Sequence, residues 1–253
     1  MPKFFVRQDQ VDDGKIVING QDVKHIRNVL RAKVGEKLEI CNSETGENFL
    51  CSILEFNEDK IWCKIEQKIQ EETESNVKVT IFQGLPKADK MEYIIQKSVE
   101  LGVYDITPVD MKRCVVKLDE KNAKKKIERW QKISEVAAKQ CGRNIIPQVN
   151  NVINIKKLCE NVESYDIVLV AYENEENNSL KNELNQIKNT ILNNQSQEFK
   201  IGIVIGPEGG LEKQDVENLK RSGAKIITLG KRILRTETVA LNVLSIIMYE
   251  LEN

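Results

Sequence analysis

Two stretches in the second half of the chain hold residues that could do chemistry. The first is "IGIVIGPEGGLEKQD", where Gly206, Gly209 and Gly210 fall between an apolar run and an expected helix. Glycines there let the backbone approach a ligand and leave amide groups unpaired. A tight strand-to-helix turn with no ligand would use the same glycines. The pattern is neither G-x-G-x-x-G nor a phosphate loop, which needs G-K-[ST]. Pro207 stiffens the loop and Glu208 would repel phosphate at close range, so a neutral or cationic ligand suits it better.

The second stretch is "ITLGKRILRTETVALNVLS". Gly230 ends a strand, and Lys231, Arg232 and Arg235 put three cations into five residues. They flank Ile233 and Leu234, which have no reason to sit in a loop unless they line a pocket. Thr236 and Glu237 stand where capping residues would precede a final helix from about Thr238 to Leu251. A solvated loop with ordinary capping is the alternative reading. Other chemistries have little material. His25 is the only histidine, so two-histidine metal motifs are impossible. The six cysteines are scattered without C-x-x-C and read as free thiols, so no metal site is expected.

These residues need elements to position them. Residues 1–70 hold five short β runs separated by turn signals such as Asp13-Gly14 and Asn19-Gly20, which predicts a small closed or nearly closed barrel. Within it, Val23, Ile26 and Leu30 fall at helical spacing, with Asp22 as the expected N-cap. Residues 71–76 lie in the acidic stretch "QEETESN", the expected linker. Residues 77–253 alternate strands and helices, which predicts an α/β domain with a largely parallel sheet. One helix should bury Met91, Ile94, Ile95, Ser98 and Val99; another should bury Ile127, Trp130, Ile133, Ala137 and Cys141. The last helix is apolar nearly all round and should be buried. Parallel sheets bind ligands at the carboxyl ends of their strands, where both glycine loops stand.

Composition limits the classes further. The 253 residues are 40% hydrophobic and 30% charged, enough for a packed core and against wholesale disorder. No run approaches a membrane span, and "MPKFFVRQDQ" has no apolar signal region, so a cytoplasmic protein is expected. With 38 basic and 39 acidic residues, bulk charge cannot hold nucleic acid, although a local basic patch can.

The segments "QGLPKADKMEYIIQKSVELGV", "ERWQKISEVAAKQCGR", "IGPEGG" and "LGKRILRTET" occur in that order. Together they resemble the bacterial 16S ribosomal RNA uridine-N3-methyltransferases of the SPOUT class, and "HIRNVLRAKVGE" resembles that family's RNA-binding barrel. The resemblance covers nearly the whole chain; Val239, where alanine is more usual, is a small departure. It implies a PUA-like β-barrel followed by a SPOUT domain with a parallel sheet and a deep trefoil knot, a homodimer through the knotted region, and S-adenosylmethionine as methyl donor. By resemblance the donor lies among Leu169, Ala171, Gly206, Gly209, Leu229, Gly230, Ile233, Leu234 and Thr238. The substrate implied is 16S ribosomal RNA or the assembled small subunit. Negative charge develops on the uridine as its N3 proton leaves. A guanidinium suits that charge, so Arg235 is the catalytic candidate, with Glu208 as base or orienting group. Candidate RNA contacts are Arg7, His25, Arg27, Arg31, Lys33, Lys87, Arg113, Arg143 and Arg232. The lysine-rich run over 112–132 reads equally as a solvated helix face. Two rivals stand: a sibling enzyme acting on a ribose 2'-hydroxyl or a tRNA base, and an RNA-binding protein without catalysis.

Overall fold

A computed structural model describes residues 3–70, 73–194 and 198–252; Glu71 and Glu72 of the expected linker lie outside them. The chain divides into two compact units, one of residues 1–74 and 138–146, the other of 75–137 and 147–253.

In the first unit the strands are β1 (Lys3–Val6), β2 (Val11–Asp12), β3 (Lys15–Asn19), β4 (Lys37–Asn42), β5 (Asn48–Phe56) and β6 (Lys60–Ile69), with a short helix α1 (Gln21–Lys24) after β3. They form one curled sheet in the order β1-β4-β5-β6-β3-β2. The sheet thus has six strands rather than five: the two-residue β2 pairs antiparallel with β3 and is too short to show a period. β1 pairs parallel with β4, and the other pairs are antiparallel. Alternate residues such as Ile16, Ile18, Leu38, Ile40, Ile61 and Cys63 fill the core. Asp22 is not the N-cap of α1. Gly20 precedes the helix, and Asp22 lies in its first turn, paired with Lys139 Nζ at 3.0 Å. After α1 the chain widens into a π-turn over His25–Val29, so Leu30 leaves the face of Val23 and Ile26 and is exposed. The segment 142–146 is bolted to this unit. Lys3 Nζ donates to Gly142 O and Asn144 Oδ1, and Cys41 Sγ to Asn144 O.

The second unit contains β7 (Val77–Gly84), α2 (Lys90–Glu100), β8 (Asp105–Asp110), α3 (Glu120–Cys141), β9 (Gln148–Val149), β10 (Ile153–Asn154), α4 (Ile155–Asn161), β11 (Ile167–Ala171), α5 (Leu180–Asn194), β12 (Phe199–Ile205), α6 (Lys213–Arg221), β13 (Lys225–Ile227) and α7 (Thr236–Leu251), the last turn of α3 belonging to the first unit. Every strand pair is parallel, in the order β10-β8-β7-β12-β11-β13, with β9 beside β8. The five positions expected on the inner face of α2 are all buried. Cys141, expected in the buried stripe of α3, is exposed because it is the last residue of the helix. α7 starts two residues earlier than its spacing suggests. It buries Ala240, Val243, Leu244, Ile247 and Met248, but Leu241 and Ile246 are half-buried and Tyr249 is 76% exposed. Its all-round apolar pattern therefore does not mean burial all round within one chain. Among the described residues no helix is long and apolar enough to cross a membrane.

Candidate active site

Three loops leave the carboxyl ends of β11, β12 and β13, and a cavity of about 510 Å³ lies among them. Ala171, Tyr172 and Glu173 form one wall, Ile205 to Leu211 the second, and Thr228 to Thr236 the third, with Lys90 and Val239 completing the lining. A site at adjacent carboxyl ends is where a parallel sheet leaves space for a ligand. Two glycines are required by geometry. A Cβ on Gly206 would stand 3.0 Å from Gly210 C and 3.1 Å from Leu211 N. Gly230 has φ +107°, a conformation side-chain-bearing residues avoid, although nothing lies within 4 Å of its Cβ position.

Buried bonds fix the walls to one another. Gln83 Nε2, from β7, donates to Thr236 Oγ1 at 2.8 Å, and Thr236 Oγ1 donates to Gly206 O at 2.7 Å. Thr236 is thus not a cap: Arg235 holds the N-cap position of α7, and no side chain caps it. Glu237 pairs instead with Lys90, whose Nζ sits 3.3 Å from Glu237 Oε2 and 3.1 Å from Glu208 Oε1. Glu208 Oε1 also accepts from Lys87 N at 3.0 Å. Burial opposes ionisation of Glu208, but backbone hydrogen bonds, including that from Lys87, and the Lys90 ammonium outweigh it. Its carboxyl is held below the ordinary range. The same contact, led by the hydrogen bond that the Lys90 ammonium donates to Glu208, raises Lys90. On the third wall, Asn178 Nδ2 donates to Ile226 O and Asn178 O accepts from Thr228 N. Lys225 pairs with the buried Glu183 at 2.7 Å.

Of the residues singled out from sequence, Ala171, Gly206, Glu208, Gly209, Leu229, Gly230, Arg232, Ile233, Leu234 and Arg235 line the cavity together. Leu169 does not, because it lies two residues inside β11, paired with Ile203 and fully buried. Thr238 does not either; it is exposed in the first turn of α7. Arg7, His25, Arg27, Arg31 and Lys33 are exposed on the first unit. Arg143 is not an open cation: it is buried against the Glu74 carboxylate. Arg113 is exposed but braces the glycine loop, with Nη1 donating to Gly209 O at 3.0 Å. Lys87 is exposed beside the same loop. Sequence reasoning missed Lys90 and Gln83, and it reached the strand end that carries Tyr172 and Glu173 by resemblance without singling out either residue. Lys90 carried one usable signal, since a cation in the first turn of a helix opposes the macrodipole and calls for carboxylate partners. Among the described residues no cluster of three or more His, Cys, Asp or Glu could hold a metal.

A parallel sheet with a strand-end cavity, joined to a small curled β unit, defines a two-unit α/β enzyme class. The chain belongs to the RNA methyltransferase family: residues 73–248 match its RNA methyltransferase domain, and residues 18–66 match its PUA domain. It is 39% identical to ribosomal RNA small subunit methyltransferase E of Bacillus subtilis, covering 100% of this chain and 98% of that protein. It is 33% identical to the protein of the same name from Mesomycoplasma hyopneumoniae, over 97% of this chain and 98% of the relative. Its fold matches a ribosomal RNA small subunit methyltransferase E from Neisseria gonorrhoeae, solved bound to S-adenosylmethionine. That match has TM-score 0.83 and 27% identity and covers 98% of this chain and 97% of that one.

Proposed function

We propose that the chain methylates N3 of a uridine in 16S ribosomal RNA, with S-adenosylmethionine as donor. The observation that carries this reading is the single cavity lined by all three strand-end loops, in a chain of this family. The lining fits the donor. Ile205, Leu211, Leu229, Ile233 and Leu234 offer an apolar slot, the glycine loops offer close backbone, and Glu173 and Glu208 suit a cation. Bound there, the donor supplies an electrophilic methyl group.

This chain's residues do the rest. The loops hold the reactants in line, which removes much of the entropic barrier. Arg235 lines the cavity and is exposed, so its guanidinium can reach a nucleobase and stabilise charge developing on the carbonyl oxygens flanking N3. Glu208, held ionised by Lys90 and Lys87, is a weak base and serves better as an orienting acceptor. Arg232 stands on the same wall and suits an RNA phosphate. Residues 1–70 recognise RNA, 71–76 link, and 77–253 transfer the methyl group, with 138–146 serving the first unit. The final segment threads the loop after β12 as a trefoil knot. Supporting this, the chain leaves the edge strand β13 and returns to bond Gly206 and the central-strand residue Gln83 through Thr236. Two copies pair through the uncovered face of α7, and the protein works in the cytoplasm.

Calorimetry with S-adenosylmethionine, beside mass mapping of 16S ribosomal RNA from cells lacking the protein, tests the reading. We expect saturable binding and loss of one methyl group from one uridine. Binding without a missing methyl would leave a sibling substrate, and RNA binding without donor binding would leave a recognition protein.

A further inference from the structure

The π-turn in the first unit exposes Leu30, which helical spacing would have buried beside Val23 and Ile26. Leu30 N donates to His25 O at 3.0 Å and Ala32 N to Ile26 O at 3.1 Å, so the turn carries extra residues over an α-turn. Val23 and Ile26 remain pinned in the core. Past them the widened turn swings its tip outward: Val29 is 69% exposed, Leu30 36% and Val34 62%. Arg31 stands at φ +53° between them, one of two non-glycine residues with positive φ among those described. Backbone strain beside exposed branched side chains marks a surface shaped for contact. Cations interleave with the apolar residues: Lys24, Arg31, Lys33 and Lys37, with Glu36 the only acid between Val23 and Lys37. Among the described residues Arg31 and Lys33 have no ion-pair partner. Arg27 is already engaged, lying 5.7 Å over the Phe56 ring and donating to Asn57 O at 2.6 Å. It anchors the turn.

We infer that residues 29–34 form a wedge whose Val29 and Val34 pack against an unpaired, unstacked nucleotide of the RNA while Arg31 and Lys33 hold the flanking phosphates. The inference rests on the RNA-methyltransferase reading and adds the kind of RNA feature the first unit takes. Apolar and cationic residues alternate at short range, as base faces and phosphates do along a single strand. Three branched side chains are too few to bury in a bilayer as an amphipathic helix does.

The test uses the full-length protein, protein-free 16S ribosomal RNA as probe and phosphatidylglycerol vesicles as control, each titrated over a salt series. Val29→Ser with Val34→Ser should weaken RNA binding by about fivefold or more with an unchanged salt slope, because no phosphate contact is lost. Arg31→Gly relieves the strained φ, so its melting temperature should not fall, yet it should weaken RNA binding and reduce the salt slope by about one. Donor binding should be unaltered in both. If wild type binds the RNA and both variants match its affinity and slope, the wedge is wrong while the functional reading stands. If the double variant loses vesicle binding and keeps RNA binding, the surface faces membranes and the inference falls. A wild type with no affinity for the RNA overturns the functional reading and the wedge together.

Discussion

Arg235 is exposed, lines the cavity, and gives its backbone carbonyl to the first turn of α7, accepting from Thr238 N at 2.8 Å. Its guanidinium is therefore placed by a helix start and left available to substrate. Removing one charge-assisted contact at a transition state typically costs about 2.7–4 kcal/mol, or roughly 10²–10³ in rate. Arg235→Ala should keep donor affinity and lose about a hundredfold or more in single-turnover methylation. Arg235→Lys should recover only part, because an ammonium lacks the planar fork. Poor donor binding with normal turnover at saturation would move Arg235 to the donor side of the cavity. Lys90 acts through Glu208. The carboxyl of Glu208 is depressed, so the stability it contributes is present above its unfolded value and is lost as pH falls through the lower folded value. Lys90→Met removes one cause of the depression, so the acid limb of the activity profile should move to higher pH. Lys90→Arg should restore it. An acid limb that stays in place in Lys90→Met would show that Glu208 ionisation does not matter to turnover.

Elements reveal how far sequence patterns reach. The strand runs and α2 were legible because each is short, amphipathic or bounded by turn residues. The cavity was legible in part, since "IGPEGG" and "LGKRILRTET" announce strand ends. The wall after β11 came from the resemblance alone, through Leu169 and Ala171, because Tyr172 and Glu173 follow an ordinary apolar strand with no special spacing. The role of Thr236 was misread for a related reason. A threonine at a helix start looks like a cap, and only the return of α7 to the sheet brings Gln83 and Gly206 within reach. That three-part tie predicts a measurable cost. Thr236→Val keeps the shape and removes both bonds, leaving a buried Gln83 N–H and the Gly206 carbonyl short of partners. About 1–3 kcal/mol should be lost, which for a chain of this size lowers the melting temperature by about 2–4 °C per kcal/mol. Thr236→Ser should lose much less. Equal melting of the valine variant and wild type would show the tie to be idle.

On the scale of the whole molecule, the uncovered half of α7 is the feature one chain does not explain. Tyr249 is 76% exposed at its end and Leu241 and Ile246 are half-buried along it, while α2, packed beside it, presents the exposed Tyr93. A stable pairing buries at least about 1,000 Å² in total, more than one helix face supplies, so α2 should contribute with α7. Aromatic residues with one polar tip suit the centre of such an interface. If the copies meet here, two carboxylates placed in the patch would each be desolvated without a partner. Ile246→Glu with Tyr249→Glu should therefore give the mass of one chain by light scattering where wild type gives two. Circular dichroism should stay the same, because neither residue is in the buried stripe of Ala240, Val243, Leu244 and Ile247. Donor affinity is the second reading of the same variant. The first turn of α7 closes the cavity through Thr236 and Val239, so a helix loosened by loss of its partner should bind donor more weakly. A folded variant that remains dimeric would place the contact on another face, and a wild type that is monomeric would remove the pairing altogether.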